Sequence, residues 1–116
     1  MNVANLFANL PESDAEIFEV LAQKDGVKIE RIISSGQSTP EGEWYDQETH
    51  EWVVLLEGSA RLRFEKDDRA VEMTRGDHVF IEAHERHRVE WTAPATKSVW
   101  LAVHFEPGKS EESQNS

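Results

Sequence analysis

The side chains of this sequence that can do polar chemistry are carboxylates, imidazoles, amides and hydroxyls, because the chain contains no cysteine. Disulfides, zinc ribbons and thiol catalysis are thereby excluded, and any bound metal must use histidine, carboxylate or amide donors. Five histidines are available, His50, His78, His84, His87 and His104, beside 23 acidic residues. Imidazole and carboxylate together suit Fe, Mn, Ni or Zn, and an amide oxygen is a weaker ligand for the same ions. The sequence holds no glycine-rich phosphate loop. Composition alone does not exclude a Ser-His-Asp triad, but no nucleophile-elbow motif supports one. Glu41, Glu43, Asp46 and Glu48 crowd around Trp44 and read as a solvated loop.

Charge narrows the choice of partner. The chain carries 12 basic and 23 acidic residues, a formal net charge of −11. Such a surface repels phosphate backbones and anionic lipid, so neither nucleic acid nor membrane is an expected partner. Met1 to Asp14 offers no basic n-region and no long apolar run. No signal peptide or transmembrane span is expected, and the cytoplasm is the expected location.

The elements that must position these groups are mostly strands. At 116 residues the chain is expected to form one domain. Residues 1–16 read as an N-terminal arm, 17–106 as the folded domain and 107–116 as a disordered acidic tail with too little apolar surface to offset ordering entropy. Glu16 to Gln23 is ambiguous. Ser13 and Glu16 resemble a capping box with helical spacing behind it, whereas Asp25-Gly26 is a hairpin turn that asks for a strand on each side. The strand is favoured, because Val27 to Ile33 beyond the turn is rich in β-branched residues. Further on, Trp52–Leu56, Ala60–Glu65, Val71–Met73, Val79–Ile81, Val89–Trp91 and Ser98–Phe105 are short apolar or alternating runs between polar turns. That rhythm predicts an all-β sandwich or barrel of roughly eight to eleven strands.

Two blocks within it resemble the paired motifs of the cupin superfamily. Glu51 is separated from Gly58 by six residues, the end of the first motif. Gly76-Asp77 opens the second, Glu82-Ala83-His84 stands at its Pro-x-Gly, and His87 falls on its histidine. Seventeen residues lie between Gly58 and Gly76, an ordinary interval between the two motifs. The string Trp44-Tyr45-Asp46-Gln47 with Glu51-Trp52, and later His87 to Thr92, is similar to one subgroup of small bacterial cupins. The resemblance implies a cupin-type jelly-roll β-barrel with an interior pocket, and a homodimer formed through a sheet surface.

The departures from the motif bear on the metal. Metal-binding cupins place His-x-His shortly before the motif glutamate. Tyr45 and Gln47, or Trp44 and Asp46, occupy those positions here, so the standard three-histidine, one-glutamate set cannot form. A site for one divalent ion would draw on Glu51, His87, Gln47 and His104, with Tyr45, Asp46, Val53, Val89 and Trp91 as pocket residues. Strand alternation supports this grouping. If His87 points inward, so do Val89 and Trp91, and Glu51 shares its face with Val53 and Leu55. His50, next to Glu51, should face away, and His50, His78 and His84 read as surface residues rather than ligands. His104 is open between the pocket and a structural hydrogen bond. Two functions stay open: a metal-dependent enzyme acting on a small polar substrate, and a metal-free binding or sensor domain. Trp52, Val54 and Leu56 then form an outward apolar face that a second sheet or a second subunit must cover.

Overall fold

The computed structural model describes residues 2–108. The expected disordered tail therefore falls, from residue 109 onward, outside the described residues. Eight strands run in order: β1 (Ile17–Lys24), β2 (Val27–Ser34), β3 (His50–Glu57), β4 (Ser59–Phe64), β5 (Arg69–Thr74), β6 (His78–Ile81), β7 (His87–Thr92) and β8 (Ser98–Phe105). A single 3-10 turn, Lys66–Asp68, joins β4 to β5. Among the described residues no helix is long and apolar enough to cross a membrane.

The ambiguous segment is a strand. Ile17 to Lys24 pairs antiparallel with β2 around Asp25 and Gly26, whose φ angles are 53° and 79°. Two successive positive φ values define the tight turn whose twist matches the flanking strands. Once that hairpin closes, the backbone groups of the segment are satisfied by β2 rather than by a helix.

The strands form two antiparallel sheets, β1-β2-β8-β3-β6 and β5-β4-β7. Their inner faces enclose one core of Val53, Leu55, Ala60, Leu62, Phe64, Met73, Ile81, Trp100 and Ala102. Period-two alternation sets who enters it. On β4, Ala60, Leu62 and Phe64 point in while Arg61 and Arg63 point out. On β8, Trp100, Ala102 and His104 point in. The more continuously apolar set, Leu101, Val103 and Phe105, therefore lies on the outer face with Trp52 and Phe80, its partners across the ladder.

Gly58 joins the two sheets. Its φ is +100°, and a Cβ there would stand 2.7 Å from the Ser98 backbone. Both facts require glycine at the point where β3 hands the chain to β4. The N-terminal arm is tied down by side chains rather than by a ladder. Arg31 donates to the carbonyls of Leu6 and Ala8 at 3.0 and 2.9 Å, and Lys97 reaches Glu12 at 2.6 Å.

Candidate functional site

At one end of the core the side chains turn polar and surround a cavity of about 90 Å³. Glu51 of β3, His87 of β7, Gln47 from the segment before β3 and His104 of β8 all line it, with Tyr45, Val53 and Val89. Two local devices bring Gln47 and Tyr45 there. Tyr45 forms an antiparallel bridge with His87, its N–H donating to the His87 carbonyl at 2.7 Å. The turn before β7 is clipped to the same segment. His84 N–H donates to the Gln47 carbonyl at 2.7 Å, and Ala83 N–H donates to His50 Nδ1 at 3.0 Å.

His84 stands where the cupin motif has glycine, and the backbone keeps the glycine conformation, with φ at 65°. A β-carbon in that region is strained. His84 Nδ1 lies 2.8 Å from Asp46 Oδ1, a contact that helps hold the turn. The same contact corrects the reading of Asp46. It is exposed, engaged with His84 and absent from the cavity wall.

Trp91 also departs from expectation. Strict alternation would set it beside His87 and Val89. Instead the β4–β7 register slips between Arg61 and Leu62, so that Arg61 faces Trp91 while Leu62 faces Val89. The extra residue, Glu90, is a β-bulge that reverses the faces beyond it. Trp91 is 36 % exposed with the Arg61 guanidinium over its ring at 5.6 Å, and Thr92 is buried in its place. His50 is a further correction. It faces away from Glu51 as alternation demands, yet it is buried between Phe80 and Phe105 rather than lying at the surface.

The electrostatics of the cavity follow from burial. Glu51 is only 7 % exposed, and burial pushes its carboxyl up to about 7, with the charge of Glu30 adding and that of Lys28 opposing. Burial also lowers His87, against the opposing effect of its hydrogen bond to the Glu85 carbonyl. That bond, 2.8 Å from His87 Nδ1, places the proton of the neutral ring on Nδ1, since a carbonyl can only accept. Nε2 then presents a lone pair 3.8 Å from Glu51 Oε1, too far for a hydrogen bond. Gln47 Oε1 is buried with no hydrogen-bond partner among the described residues. His104 Nε2, by contrast, is engaged 2.9 Å from Glu30 Oε1.

Sequence reading missed Glu16, Glu30, Phe18 and Trp100, which also line the wall with the apolar Ile32, Leu62 and Ile81. Glu16 accepts from Ser34 Oγ at 2.5 Å, and Ser34 Oγ accepts from Trp100 Nε1 at 3.2 Å. Burial raises the Glu16 carboxyl, with the Ser34 hydroxyl opposing. A signal for Glu30 was available in the pattern, because it shares its strand face with Ile32 and Ser34.

The metal expected from the fold can be tested on these donors. Among the described residues no group of three or more His, Asp or Glu side chains could hold a metal ion. Tyr45 and Gln47 stand at the two histidine positions, Tyr45 is 39 % exposed, and His104 is already paired with Glu30. The residues present do not fit the usual metal set.

Comparison with known proteins agrees with the architecture. A protein of Ralstonia eutropha JMP134, named a "putative mannose-6-phosphate isomerase", is similar at 45% identity over 92% of this chain and 100% of its own, with a TM-score of 0.88. A cupin superfamily protein of Desulfitobacterium hafniense DCB-2 is similar at 19% identity over 92% and 94% of the two chains, TM-score 0.73. An RmlC-like cupin of Desulfovibrio desulfuricans is similar at 20% identity over 90% and 96%, TM-score 0.70. These last two speak to the fold alone. No curated protein matches the chain. The family described as the cupin domain matches residues 32–104, the stretch that runs from the end of β2 through β3 to β7 and nearly all of β8 and carries Gln47, Glu51, His87 and His104. With two antiparallel sheets closed around one core, this all-β chain is a jelly-roll and belongs to the cupin family.

Proposed function

We propose that the chain is a small-molecule-binding cupin whose cavity takes a small polar ligand on Gln47, Glu51 and His87. One observation carries the reading. Three polar groups face one cavity without a hydrogen bond among the described residues: Gln47 Oε1, which is sealed from solvent, and the Glu51 carboxyl and His87 Nε2, which belong to buried residues but are not sealed. Buried polar groups are ordinarily paired, and leaving one unpaired costs roughly 1–3 kcal/mol. A chain that keeps three such groups around an opening gains from whatever pairs them. Burial moves both Glu51 and His87 toward their uncharged forms and brings the Glu51 carboxyl up to about 7, where it can exchange a proton with a ligand near neutral pH.

The cavity speaks against carrying over the phosphosugar in the name of the Ralstonia protein. No lysine or arginine among the described residues lines it, and about 90 Å³ is small for a sugar phosphate. A divalent ion is the rival occupant. Metal analysis of protein purified without a histidine tag separates the two. We expect well under one equivalent of Fe, Mn, Ni or Zn. A full equivalent that Glu51→Gln abolishes would replace the ligand pocket with a metal centre.

We further propose that two copies associate through the outer face of the larger sheet. Trp52, Phe80 and Val103 meet there across the ladder, and Phe80 is 46 % exposed. Light scattering should give a dimer, and a monomer at high concentration would dismiss it.

A further inference from the structure

From the kinds of atoms that face the cavity we infer that its ligand is a small primary ammonium, held through its N–H groups by Gln47, Glu51 and His87. The inference rests on the ligand-pocket reading above and names the class of ligand. Each unpaired group facing the cavity can accept a hydrogen bond. Gln47 presents Oε1, Glu51 presents a carboxyl, and the Glu85 carbonyl fixes His87 so that Nε2 holds a lone pair. A carboxylate or phosphate would add acceptors to acceptors. An alcohol brings one donor for three acceptors, whereas a primary ammonium brings three.

The surroundings favour positive charge as well. Glu16, Glu30 and Glu51 all line the wall, and no lysine or arginine among the described residues does. The basic side chains nearby already have partners. His104 faces Glu30 at 2.9 Å, and Lys28 lies 3.8 Å from Glu30, on a neighbouring surface cleft rather than in the cavity. Glu51, 7 % exposed, is the carboxyl without a hydrogen-bond partner among the described residues. Phe18, Tyr45 and Trp100 supply aromatic faces on which an ammonium and its first carbons can rest. A net charge of −11 raises the local concentration of cations over anions. The size of the cavity, about 90 Å³, restricts the ligand to a few non-hydrogen atoms inside the wall.

The test uses three probes of nearly equal size: n-propylammonium, propan-1-ol and propionate. Each is titrated into the full chain while the indole N–H resonance of Trp100 is followed, because Trp100 lines the cavity. Saturable binding of n-propylammonium, at least about tenfold tighter than the other two, is expected. Glu51→Gln, nearly isosteric, should weaken it by roughly ten- to a hundredfold, and Gln47→Met by less. The Trp100 resonance of each free variant shows whether it has kept its fold. Preference for propanol or propionate, lost in Glu51→Gln, would overturn the ammonium while leaving the pocket. Saturation by Mn²⁺ or Zn²⁺ with none by n-propylammonium would overturn it in favour of a metal. No response to any probe would overturn both the ammonium and the pocket.

Discussion

Glu51 and Glu90 are both glutamates on the strands of one small barrel, and the protein treats them in opposite ways. Glu90 lies on the outer face of the three-stranded sheet, where Arg63 and Arg61 both reach it and where Arg61 also binds Glu72 at 2.6 Å. Its hydrogen bond to Arg63 holds its carboxyl below the usual range. Glu51 lies inside with no lysine or arginine bound to it among the described residues, and burial holds its carboxyl above that range, at about 7, against the opposing charge of Lys28. On the outer face Arg61, Arg63, Glu72 and Glu90 pair with one another, in water, for little net stability. The cavity leaves Gln47 Oε1 buried without a partner and Glu51 without a hydrogen bond among the described residues, an arrangement that ordinarily costs stability. Where a fold pairs its exposed charges and leaves its buried ones waiting, the buried ones are the place to look for function.

The largest effect should come from breaking the join between the two regions. Gly58→Ala would force a β-carbon to 2.7 Å from the Ser98 backbone at a φ of +100°. Left-handed strain and overpacking together should remove several kcal/mol, read as a large drop in the midpoint of urea unfolding. An unchanged midpoint would mean that the two sheets do not depend on this crossing.

Much of this architecture can be read from residue order. Glu51, Gly58, Gly76 and His87 stand in motif register, and the Asp25-Gly26 turn settles the first hairpin by its two positive φ angles. The failures have physical causes. Trp91 was misplaced because alternation holds only until a bulge, and the bulge at Glu90 appears only when β7 is laid against β4. Nothing local in Glu90-Trp91 announces it. His50 and Asp46 were misread because their partners, Ala83 and His84, are more than thirty residues away. Glu16 and Glu30 escaped because strand pairing, not a motif, brings β1 and β2 to the cavity.

The next effect sharpens the contrast through pH. Unfolded, Glu51 should ionise near 4.5; folded, it does so at about 7. Between those values the folded chain holds a proton that the unfolded chain has released. Stability therefore falls as pH rises from about 4.5 to 7 and then levels off. Glu51→Gln removes that fall. Relative to the natural chain, the variant should gain about 3 kcal/mol between pH 4.5 and 8 in denaturant unfolding. His87, whose folded value is lowered, works with the opposite sign and penalises the fold as pH drops below 6.5. A pH-independent difference between Glu51→Gln and the natural chain would remove the buried, unpaired carboxyl from the account.

The smallest effect belongs to the outer face. Glu90→Gln should lose little stability at neutral pH, and less in high salt, because exposed pairs are screened. The loss should fade as pH falls through the folded value of Glu90, the opposite trend to Glu51. A loss as large as the change expected for Glu51→Gln would mean that the outer ladder, not the core, holds this sheet in place.

The contrast itself can be measured in one sample. A carbon-detected pH titration of the glutamate side-chain carboxyls resolves both residues, with Glu51→Gln and Glu90→Gln assigning the signals. The account predicts that Glu51 titrates near pH 7, while Glu90 stays ionised to below its ordinary 4.5. Glu51 titrating alongside the exposed glutamates in the ordinary range would contradict the account: the carboxyl would then be solvated or paired, and the cavity would hold no group waiting for a ligand.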